Sequence, residues 1–330
     1  MIEFNKRNIR AWSIMGISPS IWSIALEEII NESEKPENMK ILTADLERYS
    51  GLGRINNLHQ NLVYNLGIAE QNMVGVAAGL SLEGFQVFMT TYAPFMTYRC
   101  ADQIRHFMGN LKLPMVAVGS AAGFSAGMSG NALLALNDIA FMRAVPNMVV
   151  LSPADCTEAI KLMLAAARLN QPVYMRFCGT TGLPVVYQQD YMLEIGKPVQ
   201  LIEGNTIAIL ATGTTIVHEA LDAASQIEKM TGILPSVYDV HTIKPMNPDN
   251  YVEIFKKNQL IVTVEEHSII GGLGSAIAEL MVTNGHPKLQ VMIGAEDRQY
   301  KLGDRAFMLE QAGLKAELIA NKIVDRYKGV

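Results

Sequence analysis

The sequence predicts an α/β fold with two domains, each built from a mainly parallel β-sheet flanked by helices. Three observations lead to this prediction. Short apolar, β-branched segments alternate with longer helical segments, the alternation occurs as two series, and a turn-rich stretch from Gly179 to Gly196 separates them. At 330 residues the chain is long enough for two domains of ordinary size. We place the boundary after residue 192, which gives domains of residues 1–192 and 193–330.

The predicted elements of the first domain follow from the spacing of apolar residues. Its strands are Met39–Leu42, Gln86–Thr90, Met115–Val118, Met148–Leu151 and Val173–Arg176. Its helices are Ile21–Ile30, Gln71–Leu82, Phe95–His106 and Asp155–Ala167. The alternation of the two kinds of element is typical of consecutive βαβ units.

The second domain shows the same alternation. Its predicted strands are Thr206–Ala211, Leu234–Asp239, Leu260–Val264 and Leu289–Ile293. Its predicted helices are Ile216–Met230, Asn247–Lys256, Gly274–Val282 and Asp304–Glu310. A second mainly parallel sheet is therefore expected.

The composition excludes several classes of protein. A hydrophobic content of 49% with only 18% charged residues supplies ample core and excludes a disordered chain. The net charge of -5 gives no electrostatic reason to expect nucleic acid or an anionic membrane as a partner. The three cysteines form no CxxC pair, and we find neither a signal peptide nor an apolar run long enough to span a membrane. These features predict a soluble, cytoplasmic protein.

The segment around Glu70 is the first candidate for a functional site. Between Ile55 and Tyr98 the only formal charges are Glu70 and Glu83, and Glu70 opens a predicted helix of small and apolar residues. Small residues let a helix approach its neighbours closely, so burial on more than one face, with a subunit interface as one possibility, is expected. Glu70 is then either a functional carboxylate or a first-turn glutamate favoured by the helix dipole.

An aromatic triplet follows the next predicted strand. Tyr92, Phe95 and Tyr98 are spaced three residues apart, and at helical or turn spacing their rings line one face. Such a stripe is either part of the core or a wall for a flat ligand. The nearby Glu70 favours the second interpretation.

Several segments of the chain occur in the same order in transketolases. They are Asp45–Leu46, GIAEQN at residues 67–72, the aromatic triplet, RAVPNMVVLSPAD at Arg143–Asp155, YMRF at Tyr174–Phe177, HTIKPMNPD at His241–Asp249 and VEEHSIIGGLGSAIAEL at Val264–Leu280. The chain therefore resembles the pyrimidine-binding and C-terminal domains of the transketolase family over nearly its whole length. It is also similar to 1-deoxy-xylulose-5-phosphate synthases and to the beta subunits of 2-oxo-acid dehydrogenase first components.

The resemblance implies thiamine diphosphate as the cofactor and a role for each matched position. The implied cofactor-binding residues are Asp45, Leu46, Glu70, Tyr92, Phe95 and Tyr98. Glu70 would be the catalytic residue, hydrogen-bonded to the aminopyrimidine so that its imino group can remove the proton from the thiazolium carbon. The three rings would stack on the pyrimidine, and Leu46 would support the bent conformation of the cofactor.

The diphosphate-binding half of the family's site is not recognisable in the sequence. Family members hold the diphosphate and a divalent metal with a GDG motif, and this chain contains none. We therefore expect a split enzyme, in which an N-terminal transketolase subunit holds the diphosphate and Mg²⁺ or another divalent metal. This chain would supply no metal ligand. The resemblance also implies self-association to a dimer, and thus a heterotetramer of two such pairs.

The substrate side departs from the family pattern. Judged by spacing from Asp138, an aspartate of the family's glycine-rich loop falls on Ser129 and its histidine on Leu133, while an earlier histidine falls near Gly119. Ser129 is therefore a candidate for substrate contact, and the sugar substrate need not be an ordinary pentose phosphate. Arg176 either binds a phosphate, sulfonate or carboxylate of the substrate or forms a salt bridge at the end of a strand.

The favoured function is transfer of a two-carbon ketol unit from a ketose donor to an aldehyde acceptor. Two alternatives stay open, namely the beta subunit of a 2-oxo-acid dehydrogenase first component and a non-catalytic, partner-binding subunit. Weaker signals favour structural roles. Gly271–Gly274 indicates a tight strand-to-helix connection, and Arg99, Asp102 and Arg105 are expected to form surface or interface ion pairs.

Overall fold

A computed structural model of the chain describes residues 2–15, 20–179 and 181–328, which form two β-sheets with helices around them. The strands are β1 (Met39–Thr43), β2 (Val63–Asn65), β3 (Gln86–Tyr92), β4 (Val116–Ala122), β5 (Val149–Leu151), β6 (Val173–Cys178), β7 (Val199–Ile202), β8 (Thr206–Thr212), β9 (Ser236–Asp239), β10 (Thr242–Lys244), β11 (Asn258–Ser268) and β12 (Leu289–Ala295). The helices are α1 (Lys6–Met15), α2 (Ser20–Glu32), α3 (Gly53–Leu58), α4 (Glu70–Leu82), α5 (Ala101–Gln103), α6 (Asp138–Ala144), α7 (Cys156–Arg168), α8 (Ile216–Thr231), α9 (Asp249–Lys257), α10 (Leu273–Thr283), α11 (Arg305–Gln311) and α12 (Ala316–Lys328).

The two sheets are mainly parallel, which confirms the predicted fold class. The first has seven strands in the order β10-β5-β6-β4-β3-β1-β2, and only the edge strand β10 runs antiparallel to its neighbour. The second has five strands in the order β12-β11-β8-β9-β7, and again only an edge strand, β7, is antiparallel. No helix in the described part of the chain is long and apolar enough to cross a membrane.

The predicted helix Phe95–His106 is not continuous. A π-helical turn from Phe95 to Arg99 precedes the short α5, and a second π-helical segment covers Ile104–Asn110. Because a π-turn contains more residues than an α-turn, it rotates the side chains that follow it. The three rings therefore do not follow one regular helical spacing, since Tyr92 ends β3 and Phe95 begins the π-turn.

The two halves of the chain are closely joined. Strand β10 belongs to the second half of the sequence but pairs with β5 of the first sheet. One continuous apolar core contains Met73 and Met96 from the first half together with Tyr251 and Ile277 from the second. The short strands β2, β7 and β10 were not predicted, although β5 and β9, which are equally short, were.

Candidate active site

Three predicted site residues lie at or just beyond the carboxyl ends of neighbouring parallel strands. Asp45 follows β1, Glu70 begins α4 soon after β2, and Tyr92 ends β3. In sheets of this kind, the carboxyl edge is where ligands bind. A cleft of about 920 Å³ is lined by Asp45 and Asn65 together with residues of α1, α2 and α3, and neither Glu70 nor Tyr92 is among its lining residues.

The backbone at Asp45 adopts an uncommon conformation. Its φ of 57° lies in the left-handed region, which few residues other than glycine occupy. Asn65 stabilises the conformation, because its Oδ1 accepts hydrogen bonds of 3.0 Å from the backbone N–H groups of Asp45 and Gly67. Strained backbone of this kind is concentrated at functional sites. Leu46 follows directly and is half-buried.

Glu70 is a buried carboxylate with a cationic partner. Its exposed fraction is 6%, and its Oε1 accepts a hydrogen bond of 2.6 Å from Nη1 of Arg99. The next residue, Gln71, donates from Nε2 to the Arg99 carbonyl at 2.7 Å, which ties the start of α4 to the end of the π-turn. Glu70 also occupies the first turn of α4, where the helix dipole favours a carboxylate, and its functional role stays a prediction.

The rings of Tyr92 and Phe95 lie together beside this ion pair. Their centroids are 5.8 Å apart with the planes inclined by 41°. The guanidinium carbon of Arg99 lies 3.7 Å from the centroid of Phe95, so a flat cation covers that ring while it bonds Glu70. Glu70, Phe95 and Arg99 thus form one continuous set of contacts.

Arg99 is the site residue that sequence reasoning missed. It was expected to share a surface or interface pair with Asp102 and Arg105, but Asp102 pairs with Arg105 at 2.7 Å and Arg99 turns to Glu70. The π-turn is the reason, because it changes the direction in which the side chain at position 99 leaves the backbone. No feature of the sequence marks that turn.

Tyr98 is directed towards a different loop. Its hydroxyl accepts a hydrogen bond of 3.2 Å from the backbone N–H of Asn137, at the start of α6. Partial burial, together with the nearby carboxylate of Asp138, raises the pKa of Tyr98 to about 12, so the phenol is neutral at physiological pH. Tyr98 therefore links the aromatic segment to the α6 region, and its stacking role stays a prediction.

Arg176 lies in a buried polar group that joins the two halves of the chain. Its Nε donates to Oδ2 of Asp138 at 2.8 Å, and its Nη2 donates to the Glu266 carbonyl at 2.8 Å. Tyr174 donates from its hydroxyl to the same Asp138 oxygen at 2.8 Å. Of the two predicted interpretations this placement matches the salt bridge, because Arg176 is only 1% exposed. A substrate role for Arg176 stays a prediction.

The positions that correspond to the family's substrate residues differ in their surroundings. Ser129 is exposed and ends the 3₁₀ turn Gly127–Ser129, whose first residue is buried, and Leu133 ends the next such turn. Gly119 lies inside β4, where a Cβ atom would clash with the Tyr174 hydroxyl oxygen. A larger side chain there would displace Tyr174.

The side chains of the segment Glu265–His267 lie in three different environments. Glu265 accepts hydrogen bonds from the N–H groups of Leu273 and Gly274 at 2.6 and 2.8 Å and so caps α10. Glu266 pairs with Arg305 of α11. Burial lowers the pKa of His267 to about 4, so its ring is neutral. Among the described residues no group of three or more acidic, histidine or cysteine side chains is arranged to hold a metal ion.

Residues 181–196 connect the two sheets and are called the connecting segment below. A second group of buried carboxyls lies where this segment packs on α7. Asp155 accepts hydrogen bonds from the N–H groups of Val186 and Tyr187, each at 2.8 Å. Glu158 accepts from the Tyr191 hydroxyl at 2.7 Å, and Asp239 accepts from the Tyr187 hydroxyl at 2.6 Å. Burial raises the pKa of all three acids, to about 6 for Asp155 and about 7 for Asp239.

Comparison with known proteins identifies the family. The model of the transketolase pyrimidine-binding domain matches residues 19–180, and that of the transketolase C-terminal domain matches residues 196–319. A putative transketolase C-terminal section from Methanocaldococcus jannaschii is 36% identical over 305 residues, which cover 92% of this chain and 94% of that protein. The chain belongs to the transketolase family. The resemblance drawn from its motifs is thereby confirmed.

Two further relatives differ in how much of their length the chain covers. One solved structure is described as a split-gene transketolase, an inactive beta4 tetramer. Its TM-score with this chain is 0.83 and the two sequences are 34% identical, and the match covers 94% of this chain and 98% of that chain. A 1-deoxy-D-xylulose-5-phosphate synthase from Caldanaerobacter subterraneus is 33% identical over 294 residues, which cover 89% of this chain. The chain spans only 47% of that synthase. It therefore corresponds to a C-terminal section of the family.

Proposed function

We propose that this chain is the pyrimidine-binding subunit of a split, thiamine-diphosphate-dependent transketolase-like enzyme. The enzyme would transfer a two-carbon ketol unit from an anionic ketose, such as a ketose phosphate, to an aldehyde. The observation that carries the proposal is the buried carboxylate of Glu70 beside the face of Phe95, with a flat hydrogen-bond donor placed between them.

The residues present fit the aminopyrimidine of thiamine diphosphate. The Arg99 guanidinium acts as a stand-in, because it shows that a flat group stacked on Phe95 can also direct an N–H group at Glu70. An aminopyrimidine is flat as well, and its protonated ring nitrogen offers the same kind of donor. Tyr92 would border the ring, and Asp45 and Leu46 lie at the same edge of the sheet.

When bound, thiamine diphosphate supplies the electron sink that lets a carbon–carbon bond beside a ketone break and form again. The chain contributes position and electrostatics. Glu70 would share a proton with the ring nitrogen, and its burial excludes the water that would otherwise compete for that bond. Phe95 and Tyr92 would fix the plane of the ring.

A partner subunit would complete the site. The chain has no GDG motif, and it covers nearly the whole of a putative transketolase C-terminal section and of a split-gene transketolase chain. We therefore propose that an N-terminal transketolase subunit holds the diphosphate and Mg²⁺ or another divalent metal. We also propose that two copies of this chain associate, which makes the complete enzyme a heterotetramer. A location in the cytoplasm stays a prediction from the three cysteines, all of which are free and buried.

One face of α4 supports self-association. Ile68, just before the helix, is 77% exposed and Leu82 at its end is 66% exposed. Between them, Gly75 and Gly79 lie one turn apart, and a Cβ at either position would meet nothing within 4 Å. An exposed stripe of apolar and small residues lets a second helix approach closely.

Activity measurements with matched variants of α4 test the proposal. The chain is mixed with a diphosphate-binding transketolase section, thiamine diphosphate and Mg²⁺, and ketol transfer from a ketose phosphate to an aldehyde is followed. Glu70→Gln should lower kcat by about 100-fold or more, because proton sharing with the cofactor is lost. The control is Glu83→Gln, which replaces an exposed glutamate at the other end of α4 and should leave kcat unchanged. Unchanged activity in Glu70→Gln contradicts the mechanism.

A further inference from the structure

Arg99 makes the same two contacts that the proposed function assigns to the cofactor ring. Its guanidinium lies 3.7 Å from the centre of the Phe95 ring and donates to the Glu70 carboxylate at 2.6 Å. A guanidinium is planar, with its N–H donors in the plane, so one group can stack and hydrogen-bond at the same time. The position is defined by one ring face and one buried carboxylate oxygen.

We propose that Arg99 is an internal competitor of the aminopyrimidine, and that its side chain must leave this position before the cofactor can bind. The inference rests on the proposed function. One face of Phe95 takes one flat group at van der Waals distance, so the guanidinium and the aminopyrimidine exclude each other. Whichever of the two is bound, the buried Glu70 carboxylate keeps a partner, which avoids the cost of an unpaired buried charge.

The surroundings of Arg99 allow this exchange. Its side chain is 49% exposed, whereas that of Glu70 is 7% exposed, so the arginine can swing into solvent while the carboxylate stays in place. The Arg99 backbone is held, because its carbonyl accepts from Gln71 and the following residue, Cys100, is fully buried. The exchange therefore needs rotation of one side chain and no movement of α4.

Competition lowers the apparent affinity for the cofactor. If the site accepts the cofactor only while Arg99 is away, the measured Kd is the intrinsic Kd divided by the fraction of time that the site is free. An arginine that pairs with Glu70 for about nine-tenths of the time would weaken binding about tenfold. If Arg99 competes with the cofactor, removing its side chain should restore the higher affinity. If Arg99 instead assists cofactor binding, removing its side chain would weaken binding.

The test measures cofactor binding rather than catalysis. Thiamine diphosphate is titrated with Mg²⁺ into the full chain combined with a diphosphate-binding transketolase section, and Kd is determined by equilibrium dialysis. Arg99→Ala should lower Kd about tenfold. Arg99→Lys should lower it less, since an ammonium group pairs with Glu70 but cannot stack as a plate. Arg105→Ala, which removes the neighbouring surface pair, should leave Kd unchanged.

A second readout separates competition from a purely structural role. The Arg99→Ala complex should melt at a lower temperature than wild type without cofactor, because Glu70 has lost its partner, and at the same temperature when saturated with cofactor. If the wild-type complex binds thiamine diphosphate but Kd is unchanged or higher in both Arg99→Ala and Arg99→Lys, the proposed competition is wrong while the proposed function is unaffected. Absence of thiamine diphosphate binding in the wild-type complex overturns the proposed function, and this inference with it.

Discussion

Asp138 is a buried residue that contributes to the contact between the two halves of the chain. One of its oxygens accepts hydrogen bonds from both Arg176 and Tyr174, and Arg176 in turn reaches the backbone of Glu266 in the second half of the chain. A buried ion pair adds little net stability by itself, but removal of one partner leaves the other charge unpaired in a dry environment. Asp138 therefore stabilises the contact between the two sheets through Arg176.

Replacement of Asp138 should destabilise the protein strongly. Asp138→Ala leaves the Arg176 guanidinium buried and unpaired, so we expect the free energy of unfolding to fall by about 3–5 kcal/mol. Urea denaturation followed by circular dichroism measures the change. The control is Asp102→Ala, which removes an exposed pair with Arg105 and should change stability by less than about 0.5 kcal/mol. A similar small loss in Asp138→Ala would show that Arg176 finds another partner or is hydrated.

At this scale the sequence predicted identities better than contacts. Glu70, Tyr92 and Phe95 were identified from residue type, spacing and resemblance. In the structure Tyr92 lies beside Phe95, and Arg99 links Phe95 to Glu70. Arg99 was expected to form a surface or interface ion pair with Asp102, but it pairs with Glu70. Tyr98 was grouped with the other two rings, but its hydroxyl accepts a hydrogen bond from the Asn137 N–H group. Both differences come from the π-turn, whose hydrogen-bond register depends on tertiary packing and has no residue signature.

Helix α7 illustrates how an element can depend on groups distant in the chain. Asp155 caps the helix by accepting from the Glu158 N–H at 2.9 Å, and its other oxygen holds the backbone of the connecting segment. Asp239 approaches from β9 and bonds Tyr187 of the same segment. Three buried acids therefore fix the connection between the two sheets.

The acids around α7 should make stability fall as pH rises. Because burial raises the pKa of Asp155 to about 6 and of Asp239 to about 7, the folded protein holds protons that the unfolded chain releases near pH 4. Their contribution to stability is complete below about pH 4 and is lost as pH rises through about 6 to 7. His267, whose pKa is lowered to about 4, works in the opposite direction, so variants must be compared.

Asp239→Asn isolates this effect. An amide cannot ionise, so the free energy of unfolding of the variant should fall less between pH 4 and pH 7 than that of wild type, by at least about 1 kcal/mol. Denaturant titrations at a series of pH values measure the difference. Asp325→Asn, at an exposed position of α12, should leave the wild-type slope unchanged. Identical slopes in wild type and Asp239→Asn would mean that Asp239 is ionised throughout this range.

On the scale of the whole molecule, the sequence predicted two sheets but not how closely they are joined. The alternation of strands and helices predicted every strand longer than four residues. The pairing of β10 with β5 was not predicted, because it joins residues about ninety positions apart and local periodicity carries no information over that distance. For the same reason the core shared by α4, α9 and α10 could not be predicted.

The exposed face of α4 makes assembly testable. Gly79→Trp should preserve folding, because a side chain at this position has open space in the isolated chain, but it should prevent close approach of a second copy. We expect sedimentation velocity to show a shift from dimer or larger species to monomer, with no loss of melting temperature beyond a few degrees. Leu318→Trp, an exposed position on α12, is the control. Unchanged sedimentation of Gly79→Trp would exclude this face as the interface.

The most direct test of the account is the binding of thiamine diphosphate to this chain together with its partner. Equilibrium dialysis with Mg²⁺ should show little binding to either subunit alone and tight binding to the mixture. Glu70→Ala should weaken the binding to the mixture by about tenfold or more, because a buried hydrogen bond to the aminopyrimidine is lost. Tight binding by the partner alone, or binding to the mixture that Glu70→Ala leaves unchanged, would contradict the assignment of the aminopyrimidine site to this chain.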